Sequence, residues 1–447
     1  MLKSSNKYWA NRLAEIKTTF RSLRYRNYRL FFYGQSISLI GTWIQRITTP
    51  WLVYELTGSA FMLGVVSFAD QIPSLLLSPL AGVLTDRWNR YRLLIITQIG
   101  AMIQALLLAF LFLTGTIEVW HIVLLSIFHG CVKAFDVTAR QSFLIEMVEK
   151  KEDLPNAIAL NSTMMNGAKL LGPSIAGLLI VLTGEGICFL INGLSYIFVV
   201  ASLLLMKISP RKINNQSKPV LKNLKEGFAY TFGFGPIKYI ILLRALVGLM
   251  GMPYSVLLPV FAIEILHGNS RTFGFLMGAA GLGALMGALY LASRKSVLGL
   301  SKLIPRATAL FGVALIAFSL SRSFLLSLVL MVAVGLGLML QMAASSTILQ
   351  TIVDDDKRGR VMSFHTMAHM GTMPFGSFLA GALVSSLGVS NTLLFGGLAC
   401  IVGAYFYARK LPELKKAIRP IYIKLGIIAE RPLEIQAITH PSVLPEE

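Results

Sequence analysis

The chain has 447 residues, 55% of them hydrophobic and only 14% charged, with a mean hydropathy of +0.67. About a quarter of the residues of a soluble protein are charged, so a water-soluble enzyme or binding domain is excluded. The formal charge of +20 does not point to nucleic acid, because Lys and Arg crowd into alternate loops between apolar runs, the pattern of a polytopic membrane protein.

The N-terminal segment 1–27 is basic and polar, without the apolar core of a cleavable signal peptide. Apolar stretches of about 20 residues then recur, each long enough for a helix to cross a ~30 Å hydrocarbon core. Twelve spans are expected, at 28–54, 60–84, 92–114, 119–140, 156–183, 187–206, 237–265, 272–292, 303–320, 324–352, 361–386 and 390–409. The predicted fold class is an all-α integral membrane protein, with twelve transmembrane helices in two six-helix bundles related by pseudo-two-fold symmetry. The bundles cover 28–207 and 237–411, a polar linker covers 208–236, and a tail of mixed charge with little packing covers 412–447.

In chain order, ionisable residues at membrane depth come first, because each is costly unless paired or hydrated. Arg46 in span one lies ~13 Å from the outer helix end, and Asp70 in span two lies ~16 Å from the same surface. Adjacent helices of opposite direction can bring them together. Asp70 is therefore the first candidate for a proton-coupling carboxylate, with Arg46 as its partner.

Between spans two and three runs "GVLTDRWNRYR", Gly82 to Arg92, with Asp86 at a helix end and Arg87 and Arg90 at the membrane surface. Span four carries Asp136 and Arg140 one turn apart, which reads as an i,i+4 structural pair, and His129 and Lys133 share that stripe. Lys169 in span five lies ~20 Å from the inner end, near the midplane, where it can face an anionic substrate.

The linker holds a stretch, 220–232, that is either a basic surface helix or a solvated loop. Arg244 in span seven forms a possible second set with His365 and His369 in span eleven. Glu55, Glu118, Glu185 and Glu264 fall at outer helix ends and read as solvated. The acidic run "VDDDK" reads as a solvated loop. Cys131, Cys188 and Cys400 have neither metal-ligand nor disulfide spacing and read as small core residues.

The loops after even-numbered spans hold the basic clusters, including Lys150, Arg211, Lys222, Arg294, Lys302 and Arg360. Those on the other side hold only Arg271 and Arg322. Both termini are thus expected in the cytoplasm, and the protein in the plasma (inner) membrane. "GPSIAG" in span five recurs as "GSFLAG" in span eleven, a repeat of the kind that transporters place around a central path.

These motifs resemble those of the major facilitator superfamily over about 28–410. The 82–92 stretch resembles its loop 2–3 motif, with Tyr91 where a second basic residue often stands. "GTWIQRITTPWLVYELTGSAFMLG", "GLSYIFVVASLLLM" and "LKEGFAY" resemble the branch that includes the enterobactin exporter and macrolide efflux proteins. "GAKLLGPSIAG" resembles the motif of its exporters and antiporters and keeps Gly172, Pro173 and Gly177. It has Ala168 at the first glycine and Ala176 in the last pair.

The resemblance implies that Asp86 latches onto the start of span eleven, near Arg360 and Val361, when the cytoplasmic side is closed, with Gly82 allowing close approach. The equivalent second-half motif at "GALYLASRKS" has lost its acid. The expected function is proton-coupled export of an amphipathic small molecule, a siderophore or drug-like compound. An importer or lipid transporter of the same fold is the alternative. No phosphate-binding Gly-rich loop, metal site or cofactor site is apparent, and the six scattered histidines argue against an enzyme. The expected partners are the small-molecule substrate, protons and the lipid bilayer, and the expected state is a monomer.

Overall fold

In lipid every backbone N–H and C=O must be satisfied within the segment, which favours helices throughout an apolar chain. The computed structural model describes residues 20–207, 228–294 and 296–428, without the side chains of several residues within them, among them Asp86, Arg87, Lys169, Asp355 and Asp356. The first five helices are α1 (Arg26–Thr57), α2 (Ala60–Arg87), α3 (Arg90–Leu113), α4 (Val119–Phe143) and α5 (Leu154–Leu204). After the linker come α6 (Gly235–Leu246), α7 (Tyr254–Val260), α8 (Ser270–Ala292), α9 (Leu300–Leu320), α10 (Phe324–Ile352), α11 (Asp355–Met370) and α12 (Met373–Lys424). The part of the expected linker that covers 208–227 and the tail beyond 428 lie outside the described residues.

Local signals set the helix boundaries. Ser59 accepts a hydrogen bond from the Met62 N–H at 3.4 Å, and Asn89 accepts one from Arg92 at 3.2 Å. Both are N-caps that satisfy a first-turn donor. Asn89 caps α3 while α2 runs on through Arg87. The charged motif is therefore a tight corner between two helices, with Asp86 and Arg87 inside the helical span.

Among the described residues, nine helical stretches are long and apolar enough to cross a membrane. α1 is not one of them, because Arg29, Gln35, Gln45, Arg46 and Thr48 dilute its apolar character. Two of the nine leave helical geometry at one residue each, Gly184 (φ 79°, ψ 172°) and Gly388 (φ 77°, ψ 162°). Glycine reaches that region without Cβ strain. These breaks coincide with the expected connections between spans five and six and between spans eleven and twelve.

The expected seventh span is not one regular helix. π-helical turns at Val247–Gly251 and Phe261–Ile265 flank α7. Nor does the tail begin at 412 with little packing. α12 continues through Pro412 and Pro420 to Lys424, and its Leu414 and Ile418 are buried against Ile237, Leu300 and Ile304. Their i,i+4 spacing presents one apolar face to the second half, which overrides the polar composition around them.

Within the first half α1 packs on α5, α2 on α4, and α3 on both α4 and α5. Within the second, α10 packs on α8 and α9, and α9 packs on α12. Interhelical polar contacts bind the first half. Asn192 donates to Gln45 at 2.6 Å, and Gln45 donates to Gln104 at 2.8 Å. Such contacts in a membrane are worth roughly 0.6 kcal/mol each.

The halves meet along α5–α8 and α2–α12. Small residues make this possible. A Cβ on Gly177 would lie 2.7 Å from the Gly274 Cα, and one on Gly381 would lie 2.6 Å from the Ala60 carbonyl oxygen. Trp51 of α1 stacks on Phe273 of α8 at 6.3 Å.

The apolar cores divide the same way. At the end away from the basic loops one cluster joins the halves, including Ile47, Trp51 and Leu63 with Leu257, Phe273 and Leu393. At the basic-loop end each half has its own core. Tyr28, Leu94 and Phe143 belong to the first, and Ile304, Ile348 and Val361 belong to the second. Among the described residues, the apolar core is thus shared by the halves at one end and divided between them at the other.

Candidate functional site

The first half carries a cluster of charged side chains where α2 meets α4. α2 and α4 approach so closely at Gly130 that a Cβ there would collide with the Asp70 carbonyl. This contact turns the Asp70 side chain toward α4. His129 Nδ1 lies 2.6 Å from Asp70 Oδ1, and Lys133 Nζ donates to Asp70 Oδ2 at 3.2 Å. All three side chains are only partly buried, at 29% exposure for Asp70, 24% for His129 and 40% for Lys133. The acid therefore sits within a predicted span without being sealed by the surrounding helices.

The expected Asp70–Arg46 pair is corrected by this geometry. Depth matched the two residues, but helix rotation and the α2–α4 contact give the carboxylate to His129 and Lys133. Arg46 is exposed, and its guanidinium lies over the Trp43 ring at 4.7 Å. It remains within electrostatic reach of Asp70 and of Tyr254 in the second half. Trp43 is held in turn by Gly172, where a Cβ would lie 3.0 Å from Trp43 Cγ. Gly172 thus positions the aromatic plane on which Arg46 rests.

Pro173 and Gly177 serve the α5–α8 contact. A Cβ on Gly274 would sit 2.9 Å from the Pro173 carbonyl oxygen. Three motif glycine and proline positions, 172, 173 and 177, are therefore all at close contacts. Gly82 is not. A Cβ there would meet nothing within 4 Å, and the same holds at Gly359 on α11. Among the described atoms, Gly82 and Gly359 therefore make no close helix contact of the kind seen at Gly172 and Gly177. Arg90 reaches Glu146 at 3.1 Å, a cross-loop ion pair absent from the sequence reading.

Asp136 and Arg140 form the expected i,i+4 ion pair. The Asp136 carboxylate also accepts from Gln98 at 2.6 Å and from Thr97 at 3.3 Å, which fastens α4 to α3. In the second half Arg244 is 1% exposed and donates to Gln341 Oε1 at 2.9 Å. His365 is buried close enough to feel the Arg244 charge. Among the described residues, Arg244 Nε, Gln341 Nε2 and His365 Nε2 have no hydrogen-bond partner. The structure thus gathers Arg244 and His365 as expected and adds Gln341, a neutral residue that charge-based searching passes over.

Two further sites were missed. Glu185 is buried rather than solvated. Asp153 collects Arg21 at 3.0 Å, Arg24, and the Tyr25 hydroxyl at 2.6 Å, tying the N-terminal segment to the loop before α5. The Tyr25 hydrogen bond, followed by the Arg24 charge, holds its carboxyl below the usual carboxylate range. No periodicity marks such a contact; only the unusual density of Arg and Tyr at 21–28 hints at it.

A family model described as "Transmembrane secretion effector" matches residues 17–423. The Staphyloferrin A transporter of Staphylococcus aureus is 25% identical over 390 residues, covering 87% of this chain and 97% of its own. Macrolide efflux protein A of Streptococcus pyogenes is 21% identical over 382 residues, covering 84% and 94%. Among solved structures, an inward-facing, unoccupied bacterial homolog of the human lysosomal transporter Spinster matches with a TM-score of 0.67. That match has 13% identity and covers 91% of this chain and 99% of that one, so it speaks for the fold alone. With a model spanning nearly its whole length and membrane helices packed around a divided core, the chain belongs to the transmembrane secretion effector family of major facilitator superfamily transporters.

Proposed function

We propose that the chain is a secondary active exporter that moves an amphipathic small molecule, a siderophore or drug-like compound, by proton-coupled alternating access. The observation that carries this reading is the core shared at one end and divided at the other. Rocking about such a joint opens a central site to one side at a time. The names of the two relatives support the substrate class.

The twelve-crossing, two-bundle arrangement belongs to the same proposal. The nine apolar stretches become twelve when α1 is added and when α5 and α12 are each divided, at Gly184 and Gly388. The basic-loop end is the cytoplasmic face of the plasma membrane, so the conformation described is open inward. When the cytoplasmic side is closed, Asp86 latches onto the start of α11. The empty space at Gly82 and Gly359 supports this, because it leaves room for the helices to close.

Asp70 is the proton-coupling group. Protonation removes the charge that holds His129 and Lys133 to α2, so proton entry changes the balance between states. Arg46 and Lys133 place two cations beside one acid, which favours a substrate with an anionic or oxygen-rich face; Lys169 is proposed to add to it. Arg244, Gln341 and His365 provide a second polar contact from the other half. The chain works as a monomer.

Inside-out membrane vesicles from cells expressing the protein test this. Energised vesicles are expected to accumulate a labelled macrolide or an iron-free siderophore, and a protonophore is expected to abolish it. Accumulation that survives the protonophore would remove proton coupling, and accumulation only in right-side-out vesicles would reverse the direction.

A further inference from the structure

A groove of about 470 Å³ lies between α9 and α12. Its polar end carries Lys302 and Arg306 of α9, and its remaining lining is mostly apolar, including Pro305, Ala309, Ala404 and Tyr405. Neighbouring Val313, Val402 and Phe406 are exposed large or branched apolar residues, as expected of a surface facing hydrocarbon. The groove therefore runs from the basic-loop end along the lipid-facing side of the second half.

The unexpected helical extension of α12 completes the polar end. Leu414 and Ile418 seat it on the second-half core, and Lys415 then stands against Lys302 and Arg306. Burial, followed by the charges of Lys302 and Arg306, pulls the Lys415 ammonium below the ordinary lysine range. The acid of this turn, Glu413, is engaged by Lys410 at 3.0 Å. Three cations converge on one end of an apolar groove, and the groups acting on Lys415 include no acid. Like charges brought together repel, and an anion between them relieves that repulsion.

We propose that this groove binds an anionic phospholipid. Lys302, Arg306 and Lys415 hold the headgroup phosphate, and an acyl chain lies along Pro305, Ala309, Ala404 and Tyr405. Basic pockets between helices at the cytoplasmic surface recognise anionic headgroups in this way. The bound lipid supplies the missing counter-charge and fastens the α12 extension against α9. The inference uses the membrane setting that the family establishes and is independent of substrate and direction of transport.

Native mass spectrometry of the full-length protein, with phosphatidylglycerol or phosphatidylcholine added, tests it. Wild type is expected to retain phosphatidylglycerol selectively. The triple variant Lys302→Gln, Arg306→Gln, Lys415→Gln is expected to bind it roughly a hundredfold more weakly, about fivefold per charge. Ala309→Trp, which fills the groove without altering charge, is expected to weaken it as well. Lys416→Gln with Arg419→Gln, on the same extension, is expected to leave binding unchanged. Equal retention by the triple variant, equal retention of phosphatidylcholine by wild type, or displacement of the lipid by inorganic phosphate would each overturn the assignment, the last by identifying a free-phosphate site.

Discussion

Replacing Asp70 by Asn removes one negative charge from a three-residue cluster and leaves Lys133 without its counter-ion. At the observed 3.2 Å, Coulomb's relation brackets this pair between about 1 kcal/mol in water and about 5 kcal/mol at an effective dielectric constant of 20. The side chains are 29% and 40% exposed, so solvent screening holds the net contribution to roughly 1–2 kcal/mol. That is about 5- to 30-fold in an equilibrium between conformations. In proteoliposomes with an imposed pH gradient, Asp70→Asn is expected to lose about tenfold in gradient-driven substrate movement while downhill exchange persists. Adding Lys133→Gln is expected to restore thermal stability without restoring coupling, which separates a structural pair from a proton-coupling one. An unchanged gradient-driven rate in Asp70→Asn would refute the reasoning.

Gly177→Ala places a Cβ 2.7 Å from the Gly274 Cα and 2.8 Å from the Ser270 carbonyl oxygen. The overpacking is expected to cost about 1–3 kcal/mol and to part the halves at this end, read as longer distances between spin labels at positions 56 and 386. Arg244→Met together with Gln341→Leu replaces both members of a buried hydrogen-bonded pair by apolar chains, a change that is close to neutral for a purely structural pair. The double variant is expected to keep the unfolding temperature in detergent while lowering transport at least tenfold, roughly the loss of one charged hydrogen bond. The depressed Asp153 carboxyl contributes stability above the unfolded pKa of about 4, and that contribution disappears as pH falls through the lower folded value. Thermal unfolding scans from pH 6 to 3 are therefore expected to show a steeper decline for wild type than for Asp153→Asn.

Apolar length and loop charge made the membrane helices legible, since both are properties of local sequence. The connections at Gly184 and Gly388 were legible for the same reason. Partners across helices were not. Depth along α1 and α2 placed Arg46 and Asp70 at similar levels, but depth leaves helix rotation undetermined. The deciding contact is at Gly130 on a third helix, and its sequence trace is only a glycine between His129 and Lys133. The Arg244 cluster was half legible, because charge marked Arg244 and His365 while Gln341 carries none. The docked extension of α12 escaped because Leu414 and Ile418 are two apolar residues among lysines, arginines and prolines. The Gly172–Pro173–Gly177 motif was legible as a pattern, and the structure supplies its physical content in the seat for Trp43 and the contact with Gly274.

The most direct test of export is a comparison of small molecules inside cells and in the medium, by mass spectrometry, for the native host with and without this gene. Growth in iron-poor medium, in iron-rich medium and under sublethal macrolide covers the two substrate types. Deletion is expected to deplete one compound from the medium and to raise it inside the cells, and the intact gene, but not Asp70→Asn, is expected to restore both levels. A compound that instead accumulates inside cells only when the gene is present would contradict export and establish uptake.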